Sequence, residues 1–225
     1  MLRPVGGRLG LFVAPEVQLV IDLTPYQQLV VRQGVEHLEV FTGIEIENRY
    51  TIMTPEGETL LLAYEESGFF SRQFLSSHRP LAVRLVAPDG QLVLTASRNF
   101  FWFLSHLYVQ DGEDRPLGSL HRRFAVLNRR FNLEDPNGVA LAELQGSLFH
   151  PNTFVFQRQD TEVARITKQW SGIMREAFSD ADTFMVQFDH GALGPDLSWL
   201  VLATAIAIDL DFFESKGGAS LSFGR

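Results

Sequence analysis

Cysteine is absent from this 225-residue sequence. That excludes disulfides, zinc–thiolate centres, cysteine nucleophiles and cysteine palmitoylation. Positive charge is scarce: 19 Lys and Arg stand against 27 Asp and Glu, a net −8 at neutral pH. A general nucleic-acid binder needs a cationic surplus on at least one face, and so does simple electrostatic docking on an anionic membrane; the charge balance argues against both. Long apolar runs are few. Near the N-terminus, Leu9–Ala14 is shorter than a secretory hydrophobic region and is broken by Gly10, so no signal peptide is read.

Recognisable catalytic chemistry is missing as well. There is no G-x-S-x-G elbow, no Walker loop and no G-x-G-x-x-G following a strand. The histidines at 37, 78, 106, 121, 150 and 190 are scattered, and none lies in an H-E-x-x-H setting. The chain reads as a protein without a catalytic constellation, not an enzyme.

What is present is a folded, β-rich composition, 45% hydrophobic and 20% charged. Three tetrapeptides punctuate it: Thr54-Pro55-Glu56-Gly57, Ala87-Pro88-Asp89-Gly90 and Asp135-Pro136-Asn137-Gly138. Pro presets φ at the second turn position and Gly accepts the left-handed conformation at the fourth. Short apolar or alternating runs flank each one: Tyr50–Met53 and Thr59–Tyr64, Leu81–Val86 and Leu92–Thr95, Phe131–Leu133 and Val139–Leu144. These predict hairpins. Leu29–Arg32, His37–Phe41, Phe100–Val109, Leu120–Val126, Thr153–Gln157, Val163–Thr167 and Phe184–Phe188 add further strands. About a dozen strands with almost no amphipathic helix predict an all-β protein, a closed barrel or a sandwich.

One segment stands apart. Leu197–Ile208 is an uncharged run of 12 residues between Asp196 and Asp209. As a helix it is about 18 Å long, short of the roughly 30 Å of a bilayer core. Extension to Phe213 takes in Asp209 and Asp211, which are costly in hydrocarbon. A helix apolar on every side belongs where every side is buried, and Ala203, Ala205 and Ala207 keep it thin enough to thread a closed sheet. A buried strand competes, because Val201, Thr204, Ile206 and Ile208 are β-branched. Insertion of 197–213 in a membrane is the other alternative. The corresponding locations are the cytoplasm, or a membrane to which the protein is peripheral or anchored through that segment.

Two clusters carry candidate binding chemistry. Arg122, Arg123, Arg129 and Arg130 offer guanidinium forks that suit phosphate headgroups, or else form a solvated outer face of two adjacent strands. Asp180, Asp182, Gln187 and Asp189 offer oxygen ligands for a hard cation such as Ca²⁺, or else form an acidic turn beside a strand. As an EF-hand loop the second cluster fails, with Met185 where Gly is needed and Gly191 where a bidentate Glu belongs.

The stretch Ile166-Thr167-Lys168-Gln169-Trp170-Ser171-Gly172, with Arg175–Asp182, Phe184 and Gln187-Phe188, resembles the signature of the phospholipid scramblase family. Glu39–Glu45 with Asn48-Arg49-Tyr50, Ser77–Leu81 and Ile208–Ser215 resemble further blocks of it, so the likeness runs from about 25 to 216. It implies a twelve-stranded, tubby-like β-barrel enclosing a hydrophobic C-terminal helix. The domain is then 25–216 with the helix at about 197–213, an N-terminal extension over 1–24 and a tail over 217–225. The resemblance implies ATP-independent, Ca²⁺-dependent movement of phospholipids between leaflets, with the calcium segment on Asp180 through Phe188. Gly191 departs from the family's final acid. Phospholipids or a membrane surface are the expected partners. The rival function is a soluble lipid-headgroup-binding or regulatory module without transport.

Overall fold

The computed structural model describes residues 21–34, 49–65, 81–98, 106–123, 130–146, 152–169 and 183–210. They form twelve strands and one helix: β1 (Gln28–Gln33), β2 (Arg49–Met53), β3 (Thr59–Glu65), β4 (Leu81–Val86), β5 (Leu92–Arg98), β6 (His106–Asp111), β7 (Pro116–Arg123), β8 (Arg130–Glu134), β9 (Ala140–Gly146), β10 (Thr153–Arg158), β11 (Thr161–Gln169), β12 (Thr183–Phe188) and α1 (Pro195–Ile208). Every strand is antiparallel to its sequence neighbours, and β12 returns to β1, so the sheet closes into a barrel without an edge. This is the all-β barrel around a C-terminal helix that the resemblance implied.

Four hairpins share one turn design. Thr54, Ala87, Asp111 and Asp135 each donate their N–H to the carbonyl four residues on, at 2.9 Å. The fourth position of each turn is left-handed: Gly57 (φ 94°), Gly90 (89°), Asp114 (64°) and Gly138 (82°). Beside each of these turns the strand register shifts, at Ile52/Met53, Leu85/Val86, Val109/Gln110 and Leu133/Glu134. A turn ending in a left-handed residue followed by a bulge matches the right-handed twist that a barrel needs. Pro and Gly predict three of the four. The fourth, Asp111–Asp114, escapes that signal because it has neither Pro nor a terminal Gly; its arms are His106–Asp111 and Pro116–Arg123, which overlap the expected Phe100–Val109 and Leu120–Val126, whose residues 100–105 and 124–126 lie outside the described residues. These turns, the Gln159–Asp160 turn and the 189–194 connection lie at one end of the barrel. The expected strand His37–Phe41 lies outside the described residues.

Strand burial alternates, as in β1 with Leu29 and Val31 inside and β12 with Phe184, Val186 and Phe188 inside. Outward positions mix polar and charged side chains, among them Arg32, Thr51, Arg84, Thr95, Glu143 and Arg165, with apolar ones such as Val30, Leu62, Val155 and Met185. The lumen is filled by α1, a helix and not a strand, whose residues Leu197–Ile208 are all buried. Its surroundings are Leu, Ile, Val and Phe side chains of the strands in one continuous core. Leu23, ahead of β1, is part of that core. Gly118 in β7 lets the helix approach: a Cβ there would lie 3.0 Å from Leu200 Cδ1 and against the Glu134 carbonyl.

Candidate functional site

Both ends of α1 are held by ionic contacts. At its N-terminus the Arg115 guanidinium spans two carboxylates, with Nε 2.8 Å from Asp111 Oδ2 and its two terminal nitrogens each 3.2 Å from an Asp196 oxygen. Asp196 lies in the first turn, where a negative charge also suits the helix dipole. Those contacts hold the Arg115 pKa above its ordinary value, through the hydrogen bond to Asp196 first and that to Asp111 after it. Nearby, His190 Nε2 donates to the Tyr26 carbonyl at 2.7 Å, and the ring's Nδ1 lies 3.4 Å from Ser198 Oγ on α1.

At the other end Asp209 is fully buried. Its Oδ2 accepts the Tyr50 hydroxyl from β2 at 3.0 Å, and its Oδ1 lies 3.7 Å from Lys168 Nζ of β11. Lys168, itself 8% exposed, also sits over the Phe184 ring at 5.3 Å from the centroid. An anion this deep needs compensation by a cation and a donor, and the barrel wall supplies both. Sequence reasoning missed this group, because Asp209 reads there only as the boundary of the apolar run. Lys168 was legible in principle: it falls at the inward phase of β11, two residues from Ile166, where apolar side chains are expected.

Of the four predicted cation ligands, Gln187 and Asp189 fall among the described residues. Asp180 and Asp182 lie outside the described residues. Gln187 is near the end of β12, paired with Gln28 and Arg165. Asp189 is engaged within its own turn, where its N–H donates to Val163 at 2.9 Å and its Oδ1 accepts the Gly191 N–H at 3.1 Å. That turn leads into α1. Among the described residues no three His, Asp or Glu side chains are grouped to hold a metal ion.

Of the predicted arginine cluster, the register sets Arg123 of β7 opposite Arg130 of β8, and Arg122 opposite Phe131. Arg130 is exposed and lies 3.4 Å from Glu143 across to β9. Arg129 lies outside the described residues.

A groove of ≈ 590 Å³, not foreseen, runs over the outer face of β6–β8. Ser119 and Gly118 floor it, the half-exposed Tyr108 flanks it, and Glu134 with the 135–138 turn forms the far side. At its head the His106 and His121 rings stack at 3.8 Å, and His121 Nδ1 lies 3.4 Å from Glu134 Oε1. Burial, and then the neighbouring His121, hold the His106 pKa below its ordinary value.

A family model described as Scramblase matches residues 12–215. Phospholipid scramblase 1 of Rattus norvegicus is 30% identical over 209 residues, covering 87% of this chain and 62% of the rat protein. Phospholipid scramblase 1 of Homo sapiens is 27% identical over 216 residues, 90% of this chain and 68% of its own. Altered inheritance rate of mitochondria protein 25 of Saccharomyces cerevisiae is 26% identical over 242 residues, 87% of this chain and 74% of its own. The chain thus spans less than two thirds of the length of the rat protein. A crystal structure of an Arabidopsis thaliana protein overlays 81% of the chain with a TM-score of 0.42 at 14% identity; the barrel assignment stands on the strand pairings of this chain itself. Every strand and the buried helix fall inside the matched residues, and the chain belongs to the scramblase family.

Proposed function

We propose that the chain engages membrane phospholipids from the membrane surface, as a headgroup-binding module that keeps α1 inside the barrel. The observation that carries this reading is the complete burial of Leu197–Ile208. Each large apolar side chain in that segment contributes about 1.5–3 kcal/mol on burial, so withdrawing the helix costs on the order of 15 kcal/mol. That rivals the whole stability of an ordinary domain, about 5–15 kcal/mol. Lipid would offset only the helix's share, because the emptied lumen still faces water. The helix, 14 residues long, reaches about 21 Å. No helix among the described residues is long and apolar enough to cross a membrane. Lipid-spanning barrels carry an apolar outer band, whereas the outward positions described here include the charged Arg32, Arg84, Glu143 and Arg165.

In this reading Arg122, Arg123, Arg129 and Arg130 receive the phosphate. Flotation with anionic vesicles tests it: the parent protein floats with the lipid and the fourfold Arg→Ala variant stays behind. Equal flotation of the two would refute the arginine assignment.

The second reading, bidirectional leaflet exchange stimulated by Ca²⁺, is favoured by the family match over 12–215. Here Asp180 and Asp182 hold the ion without Asp189, whose Oδ1 already accepts the Gly191 N–H. Calcium would supply a positive charge toward which lipid phosphate is drawn. Calorimetric titration with Ca²⁺ should lose its signal in Asp180→Ala and Asp182→Ala and keep it in Asp189→Ala. Vesicles carrying labelled lipid in both leaflets then measure exchange directly, and no acceleration with or without Ca²⁺ rejects transport.

A further inference from the structure

We propose that the groove on the outer face of β6–β8 binds a small organic ammonium group of the choline or ethanolamine class. Three observations support the class of ligand. The lining carries two carboxylates, Glu134 and Asp135, and no Lys or Arg. Beside the His106 imidazole, on which it stacks with centroids 5.8 Å apart, it presents the Tyr108 ring, which at 48% exposure is one of two exposed large hydrophobic residues among those described. A ring face beside carboxylates is the arrangement that holds ammonium cations.

The third observation is the state of Glu134. Its side chain is only 14% exposed, yet its two protein contacts are long: His121 Nδ1 at 3.4 Å and Asn132 Nδ2 at 3.5 Å, both on Oε1. A carboxylate so enclosed and so weakly served gains from a cation. Asp135 differs. Its Oδ1 accepts the Val139 and Asn137 N–H groups at 2.8 and 2.9 Å, and the backbone bond from Val139, ahead of the others, holds its pKa below the ordinary value. It stays ionised and fixes the turn that walls the groove.

Register explains why the space exists. Tyr108, Ser119 and Glu134 stand side by side on β6, β7 and β8, with Ser97 of β5 beyond Tyr108. The small Ser119 side chain between them leaves room between a ring and an acid. The titratable groups lining or adjoining the groove are His106, His121, Tyr108, Glu134 and Asp135. As the pH falls, His106 takes up a proton and repels the cation, so affinity decreases on acidification.

The full chain titrated with choline chloride, ethanolamine hydrochloride and, at matched ionic strength, sodium chloride provides the test. Saturable millimolar binding of the organic cations over sodium is expected, unchanged within threefold in Tyr108→Phe and weakened at least tenfold in Tyr108→Leu and Glu134→Gln. Thermal denaturation identifies any variant that is merely unfolded, and Tyr108→Leu, at an exposed site, keeps the test open if Glu134→Gln fails to fold. No saturable binding, or Tyr108→Leu binding like the parent, overturns the proposal. Competition of choline by phosphatidylcholine vesicles assigns the ammonium to a lipid headgroup; binding without competition assigns it to a free amine. The anionic-vesicle assay of the arginine cluster is independent of either outcome.

Discussion

Asp209 and Lys168 carry opposite charges into a largely apolar lumen, where Glu65 and Arg98 are buried as well. Removing one member strands the other, at a cost of about 3–5 kcal/mol. Asp209→Ala and Lys168→Ala should each lower the denaturant midpoint by that amount, whereas Asp209→Leu with Lys168→Met should recover most of it. If the double variant is as unstable as the singles, the pair is not what the two residues share. His106 gives a pH-dependent counterpart. Its folded pKa is depressed, so the unfolded chain takes its proton first; the stability it contributes is full above the ordinary histidine value and is lost as pH falls toward the folded one. Thermal scans between pH 7 and 5 should therefore fall less steeply in His106→Gln than in the parent. These residues were hard to read in sequence for one reason. A charged residue on a strand is ordinarily an outward one, and only the inward phase of Lys168 or the cross-strand pairing of His106 with His121, which no linear spacing displays, reveals the exception.

Elements tell the opposite story, because turn chemistry is local. Thr54–Gly57, Ala87–Gly90 and Asp135–Gly138 were legible from Pro and Gly alone. Asp111–Asp114 makes the same turn with Asp114 at a φ of 64°, a conformation that costs most residues about 1–2 kcal/mol and Asp somewhat less. Asp114→Gly should accordingly raise stability by about 0.5–1 kcal/mol, with Tm as the readout; a lower Tm would mean that the side chain does more than tolerate the turn. Gly118 is the reverse case. Its φ of 146° and the Glu134 carbonyl against its absent Cβ leave no room for a methyl group. Gly118→Ala should destabilise by about 2–4 kcal/mol and weaken the protection of α1 amides before that of β1. The helix itself was legible as a uniformly apolar run. Choosing helix over strand required the lumen, whose diameter accepts one helix lined by Ala203, Ala205 and Ala207.

At the scale of the molecule, barrel and helix are mutually dependent: neither has a finished core alone. Denaturation followed by near-ultraviolet and far-ultraviolet dichroism should give coincident single transitions, and separate midpoints would show that the helix leaves first. The dozen strands could be counted along the chain. The closed sheet was expected too, but not which strands seal it, since Leu29 opposite Val186 is a partnership between distant segments. That seam also bears on synthesis. At about 5–20 residues per second, β1 emerges from the ribosome roughly 8–30 seconds before β12, and throughout that wait β1 presents an unsatisfied rim to every nascent neighbour. Production of the protein in cells should thus depend on chaperones that shield such a rim, even though the finished barrel offers them nothing to grip.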